Sequence, residues 1–257
     1  MLDFAIRMAQ DAGRLLRDRV GTAIDIGHKG AINIVTDVDL ASEQLIRDRI
    51  ATHYPRHEVL GEEGGLAESH SEYRWIVDPL DGTTNFAHGY PAFCVSIALE
   101  FKGEVILGAV YDPMRDEMFT AERGGGAALN QRPIRVSQTD DLMQSLLSTG
   151  FPYDIKTSKL TNLDHWSNFA MNAQALRRDG SAALDLCYVA CGRFDGFWEL
   201  NLSPWDTAAG AIIVAEAGGR VTDFGGNPFS NYTPQVLASN GLIHDRMIEV
   251  LAMPGAG

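Results

Sequence analysis

A single stretch, Tyr73-Arg-Trp-Ile-Val-Asp78-Pro-Leu-Asp81-Gly-Thr-Thr-Asn85-Phe86, restricts this chain more than any other part of it. Tyr73, Trp75, Ile76 and Val77 are the aromatic and β-branched residues of a buried strand. Pro79 has no N–H to give and a φ suited to the second position of a turn, so the ladder is expected to stop there. A β-turn over residues 78–81 would hold its outer Cα atoms within about 7 Å of each other. Two carboxylates then meet at the end of one strand. Their repulsion favours a proton on one of them unless a hard divalent cation with oxygen ligands intervenes. The Gly-Thr-Thr-Asn run that follows reads as a helix start, with free N–H groups and hydroxyls suited to an oxyanion such as phosphate. By themselves the same residues also suit a plain structural turn, with Asp81 as an N-cap.

The rest of the chain narrows these choices. At 257 residues it is expected to be one large domain or two small units sharing a core, and its 45% apolar content is that of a globular protein. A formal charge of −13 and a pI near 4.9 argue against nucleic acid or an anionic membrane as an electrostatic partner. A phosphate substrate stays compatible if bound cations reverse the sign locally. The odd set Cys94, Cys187 and Cys191 suits a reducing compartment, and the pair 187/191 reads as small buried side chains on a helix. There is no apolar signal core at the N-terminus and no stretch of membrane-spanning length, so a soluble cytoplasmic protein is expected.

Apolar spacing predicts helices over residues 2–19 and 36–54. It then predicts strands over 93–101 and 105–111, joined by a Lys102-Gly103 hairpin, and a further strand over 117–121. Beyond residue 145, strands at 145–149, 194–200 and 236–238 alternate with helices at 160–171, 181–191, 204–217 and 242–251. This is an α/β pattern with an α+β N-terminal half, divided into 1–145 and 146–257. The Gly124-Gly-Gly126 triplet lacks a following Gly-Lys-Ser/Thr, and neither an HExxH nor a Gly-x-Ser-x-Gly pattern occurs.

Three other acidic positions draw attention. Glu62 sits in the Gly61-Glu62-Glu63-Gly64 loop; alone, such a Glu reads as solvated. Asp206 follows Ser203-Pro204 at N3 of a helix, where a capping box accounts for it. Asp39, after Thr36, also takes a capping position.

Gly61-Glu62-Glu63, Asp78-Pro-Leu-Asp81-Gly-Thr83 and Trp205-Asp206-Thr-Ala-Ala-Gly210 together resemble the signatures of the inositol monophosphatase family, in the family's order and over nearly the whole chain. That family comprises magnesium-dependent, lithium-inhibited phosphomonoesterases. The resemblance implies a layered α/β/α/β/α sandwich, the inositol monophosphatase and fructose-1,6-bisphosphatase-like fold, and a homodimer. It implies two or three Mg²⁺ ions: Glu62, Asp78 and the Leu80 carbonyl for one, Asp78, Asp81 and Asp206 for the second, Glu62 and water for a weaker third. By the same analogy Asp39, rather than Asp37, holds the Thr83 hydroxyl that helps the attacking water. Gly82, Thr83 and Thr84 bind phosphate through the backbone, and Gly180, Ser181, Ala182 and Glu199 line the pocket for the alcohol. Asn33 stands where the family often has Asp, outside the metal set.

The expected substrate is a phosphate ester of a small polyol or sugar, first of all myo-inositol 1-phosphate. The alternatives are histidinol phosphate, fructose 1,6-bisphosphate, NADP and 3′-phosphoadenosine phosphates. A regulatory protein that keeps the fold is a second alternative, since relatives with transcription or ribosome-assembly roles do so. A purely structural Ca²⁺ site would leave the adjoining hydroxyls and helix start without a purpose.

Overall fold

The computed structural model describes residues 1–28, 33–67 and 71–255. Helix α1 (Leu2–Arg19) buries Phe4, Met8, Ala12 and Leu16 along one stripe. A short antiparallel ribbon, β1 (Ile26–His28) and β2 (Ile34–Thr36), leads into α2 (Asp37–His53). Eight strands then form the first sheet: β3 (Glu58–Gly61), β4 (Gly65–Ala67), β5 (Tyr73–Asp81), β6 (Cys94–Phe101), β7 (Glu104–Asp112), β8 (Glu117–Glu122), β9 (Gly126–Leu129) and β10 (Arg132–Pro133). Their order is β10-β9-β8-β7-β6-β5-β3-β4, antiparallel except for the β3/β5 pair. The β6–β7 hairpin turns on Lys102 and Gly103, both with positive φ, as a two-residue I′ turn requires.

The second sheet has order β12-β11-β13-β15-β14. It comprises β11 (Leu146–Thr149), β12 (Ala175–Arg177), β13 (Gly196–Leu200), β14 (Arg220–Thr222) and β15 (Gln235–Ser239). Interspersed are the short α3 (Thr83–Ala87), α4 (Leu163–Asn172), α5 (Ala182–Ala190), α6 (Pro204–Glu216) and α7 (His244–Leu251). Three apolar clusters stack these elements into five layers. One joins α1 and α2 to the outer face of the first sheet through Phe4, Met8, Trp75 and Val77. The second places α5 and α6 between the sheets, with Leu186 and Ile213 packed among Ile76, Phe119 and Phe197. The third sets α4 and α7 on the far face through Phe169, Trp198 and Met247. The molecule is the α/β/α/β/α sandwich.

Two expectations need correction. Pro79 does not end the ladder, and residues 78–81 are not a β-turn. Strand β5 runs on to Asp81, pairing Asp78 with Ser96 and Asp81 with Cys94, with a register shift between them. Three residue steps on β5 oppose two on β6, the extra residue of a β-bulge. Pro79 falls inside the bulge, where a missing N–H breaks no rung. In a regular strand Asp78 and Asp81 would face opposite sides; the extra residue turns both to one side. The helix expected over 160–171 starts only at Leu163, because Asn162 adopts a left-handed conformation (φ 66°). Its buried amide Nδ2 donates to Thr149 Oγ1 at 2.9 Å and to the Gly150 carbonyl at 2.6 Å, and Trp198 Nε1 donates to its Oδ1 at 2.9 Å. These bonds fix the loop after β11. Short strands such as β4, β9, β12 and β14 carry too few apolar residues to have been read from sequence.

Candidate active site

The end of β5, the N-termini of α3, α5 and α6, the segment after β11 and the end of β13 surround a cavity of about 250 Å³. Asp78, Asp81 and Asp206 converge there, each offering an oxygen within 4.8 Å of the others. Asp206 arrives at the head of α6, where its Oδ2 accepts the Ser203 N–H at 2.6 Å. The capping reading of Asp206 is therefore correct, and the same carboxylate also reaches the cluster. Asp81 Oδ2 accepts from Ser181 Oγ at 2.8 Å and from the Ala183 N–H at 2.7 Å, so the N-terminus of α5 holds it. Ser181 makes no side-chain cap to its own helix; its hydroxyl serves Asp81.

Burial and mutual repulsion dominate the electrostatics. Asp78 is pushed well above the usual carboxylate range by burial, then by the charges of Glu62, Asp81 and Asp206. Burial raises Asp81 to about 6 against the Ser181 and Ala183 hydrogen bonds. Burial and then Asp81 raise Asp206 to about 8. Hard oxygen donors, buried, close and mutually repelling, fit a divalent cation, which would reverse these shifts. Glu62 lies on the turn between β3 and β4 and lines the same cavity, outside the tight three-carboxylate cluster.

Asp39 divides its oxygens between two tasks. Oδ2 accepts the Thr36 N–H at 2.8 Å and completes the capping box of α2, while Oδ1 accepts from Thr83 Oγ1 at 2.9 Å. Burial raises Asp39, opposed by the Thr36 and Thr83 bonds. Asp37 is engaged elsewhere, with Arg19 at 2.7 Å. The Leu80 carbonyl lies 3.2 Å from Thr83 Oγ1. Gly82 has φ 100°, and a Cβ there would sit 2.8 Å from the Ala92 carbonyl oxygen. Only glycine suits that entry to α3. Gly82 and Thr83 line the cavity; Thr84 is exposed and lies outside its wall.

Gly180, Ser181, Ala182 and Glu199 line the same cavity. Glu199 is buried and raised to about 8 by burial first and the Asp206 charge second, against the pull of Arg178. Gly150 leaves room for it, since a Cβ there would overlap the Glu199 carboxylate. Sequence reading missed Asn201, Arg178 and Asp185 on these walls. Asp185 is 1% exposed, and its Oδ1 has no hydrogen-bond partner among the described residues. Its place one helical turn after Ser181 was the signal available.

A sandwich with a carboxylate cluster, a paired Asp–Thr and a helix start around one cavity defines a site for a small anionic ester, as in phosphatases. A model of the inositol monophosphatase family matches residues 1–253. The chain is 48% identical over 236 residues to the Nus factor SuhB of Pseudomonas aeruginosa, covering 88% of this chain and 86% of that one. It is 40% identical over 259 residues to the chloroplastic phosphatase IMPL1 of Arabidopsis thaliana, covering 98% and 70%. The structure of an inositol monophosphatase from Anabaena superposes with a TM-score of 0.90 at 44% identity, covering 99% and 96%. The chain belongs to the inositol monophosphatase family.

Proposed function

We propose that this protein is a Mg²⁺-dependent phosphomonoesterase acting on a small polyol phosphate, with myo-inositol 1-phosphate the first candidate. The observation that carries this reading is the convergence of Asp78, Asp81 and Asp206 within 4.8 Å, beside the Asp39–Thr83 pair. Glu62, Asp78, the Leu80 carbonyl, Asp81 and Asp206 would hold two or three ions. Bound Mg²⁺ supplies the charge that binds phosphate, offsets its developing negative charge and acidifies water. Thr83 directs its O–H into a hydrogen bond to Asp39, which leaves its oxygen free to accept a hydrogen bond from the attacking water and orient it. Backbone N–H groups of Gly82 and Thr83, at a start of α3 that no side chain caps, would receive phosphate oxygens. Glu199 faces the alcohol and accepts its hydroxyls, alongside Gly180, Ser181 and Ala182. The leaving alkoxide takes its proton from water.

The cavity volume, below the roughly 300–1,000 Å³ of sites for drug-sized ligands, favours one ring over a dinucleotide. The proposed division into residues 1–145 and 146–257 is supported by the order of the strands, those of the first sheet preceding it and those of the second following it. Among the described residues no helix is long and apolar enough to cross a membrane, and the cysteines are free. A cytoplasmic homodimer is proposed on the family resemblance alone.

The test is phosphate release from myo-inositol 1-phosphate, fructose 1,6-bisphosphate, histidinol phosphate, NADP and 3′-phosphoadenosine 5′-phosphate, with Mg²⁺, with chelator and with Li⁺. Mg²⁺-dependent, Li⁺-sensitive release with one preferred ester is expected. No release by folded protein that binds Mg²⁺ would refute the reading. The name of the 48% identical relative, Nus factor, supports a second reading in which the fold also serves a regulatory protein partner. The net charge of −13 disfavours direct contact with nucleic acid. Asp78→Asn separates the two, since partner binding would survive it and turnover would not.

A further inference from the structure

One face of α2 does more than present Asp39. Asp39, Ser42, Glu43, Ile46 and Arg47 follow one another at helical spacing, and all but Arg47 are buried. Ser42 Oγ donates to the Pro79 carbonyl at 2.9 Å, inside the bulge that aligns Asp78 and Asp81. Glu43, 3% exposed, reaches the turn that carries Glu62. Its Oε2 accepts the Glu63 N–H at 2.8 Å and its Oε1 the Gly64 N–H at 2.7 Å. Arg47, one helical turn on, donates Nε to Glu43 Oε1 at 2.7 Å and Nη2 to the Gly65 carbonyl at 2.7 Å. The turn is thus held on both sides of its backbone polarity, through charge-assisted bonds in a partly buried setting.

The glycines of Gly61-Glu62-Glu63-Gly64 follow from this contact. Neither Gly61 nor Gly64 has a positive φ, so no left-handed conformation requires them. A Cβ on Gly61 would lie 2.7 Å from the Glu43 carboxylate atoms, and one on Gly64 would lie 2.7 Å from Glu43 Oε1. The turn closes directly onto the carboxylate, with no room for a side chain between.

We propose that Glu43 is a positioning residue: its carboxylate, braced by Arg47, grips the backbone on the far side of Glu62 and sets that side chain at the cation site. The proposal rests on the reading of Glu62 as a cation ligand. Glu43 itself touches neither substrate nor ion. Losing its negative oxygen leaves one N–H of the turn facing a donor, and the turn relaxes away from α2.

The experiment measures binding of Mn²⁺, a hard-site stand-in for Mg²⁺, by the electron paramagnetic resonance signal of the free ion. Wild type, Glu43→Gln, Glu62→Gln and the double variant are compared, with circular dichroism in chelator as the fold control. Glu43→Gln is expected to bind Mn²⁺ roughly 10- to 100-fold more weakly, the usual effect of losing a support behind a ligand. In the Glu62→Gln background the same change is expected to add nothing, because its effect runs through Glu62. Gly64→Ala, which presses on the carboxylate from the loop side, is expected to reproduce the loss and serves if Glu43→Gln fails to fold. Wild-type affinity in folded Glu43→Gln or Gly64→Ala would overturn the proposal, as would an equal loss with and without Glu62. Wild-type affinity in Glu62→Gln alone would instead remove the premise, with Glu43 intact, and the proposal with it.

Discussion

Replacing Glu199 by Gln is expected to stabilise the chelated protein, and by more as the pH rises. Glu199 is buried against Gly150, and its carboxyl is raised from 4.5 to about 8, by burial first and the Asp206 charge second. A raised carboxyl means that the folded state binds the proton more tightly than the unfolded chain. Stability linked to this group is therefore complete below the unfolded value and is lost as the pH rises through about 8. At about 1.36 kcal/mol per unit, the cost grows from roughly 1 kcal/mol near pH 5.5 to roughly 4 kcal/mol near pH 8.5. Gln has no such proton to lose. The difference of about 3 kcal/mol corresponds to a widening of about 6–12 °C in the gap between variant and wild-type melting temperatures for a chain of this size. Thermal melts of both proteins in chelator, at about pH 5.5 and about pH 8.5, measure that gap. A gap that stays constant or narrows toward alkaline pH would refute the claim that Glu199 is held neutral by its surroundings. Turnover of a polyol phosphate by the variant should fall, while hydrolysis of an aryl phosphate without hydroxyls should fall much less.

Thr83→Val removes the hydroxyl held by Asp39 and is expected to lower kcat by about 10²–10⁴-fold. Steady-state kinetics at saturating Mg²⁺ check this, and a rate within threefold of wild type would exclude Thr83 from orienting water. Asp185→Asn neutralises a buried acid whose Oδ1 has no partner among the described residues. It is expected to raise unfolding stability by about 1–3 kcal/mol in chelator, read by urea denaturation near neutral pH. Gly82→Ala combines a left-handed φ with a Cβ 2.8 Å from the Ala92 carbonyl oxygen. Loss of about 1–3 kcal/mol in the same denaturation assay is expected, together with weaker phosphate binding. Asp78→Asn should lower turnover by about 10³-fold or more while circular dichroism stays unchanged, since several kcal/mol of charge stabilisation depend on it.

Much of the fold is written in short-range patterns. The stripe of Phe4, Met8 and Leu16 marks α1, Thr36 and Asp39 mark the start of α2, and Lys102-Gly103 marks a hairpin. These were legible because caps, turns and periodicity act within a few residues. The delayed start of α4 was not, because the Asn162 amide turns aside to bond Thr149 and Gly150, which only folding brings near. The bulge at Pro79 was misread as a turn for a related reason. A proline suits either, and pairing with β6 decides between them.

At the site, residue identity came from the chain and position from packing. Sequence alone determined which carboxylates stand beside a glycine, a proline or a helix start, namely Glu62, Asp78, Asp81, Asp206 and Asp39, because such local settings depend on neighbours in the chain. Only the tertiary structure decided that one extra residue in β5 turns Asp78 and Asp81 to the same side, and that the head of α6 brings Asp206 to them. It also decided that Glu43 closes on the turn behind Glu62 and that Asp185 is buried with an unpartnered oxygen. Strand register, burial and the sum of charges are long-range quantities. They exist only once sheets and helices distant in the chain have packed.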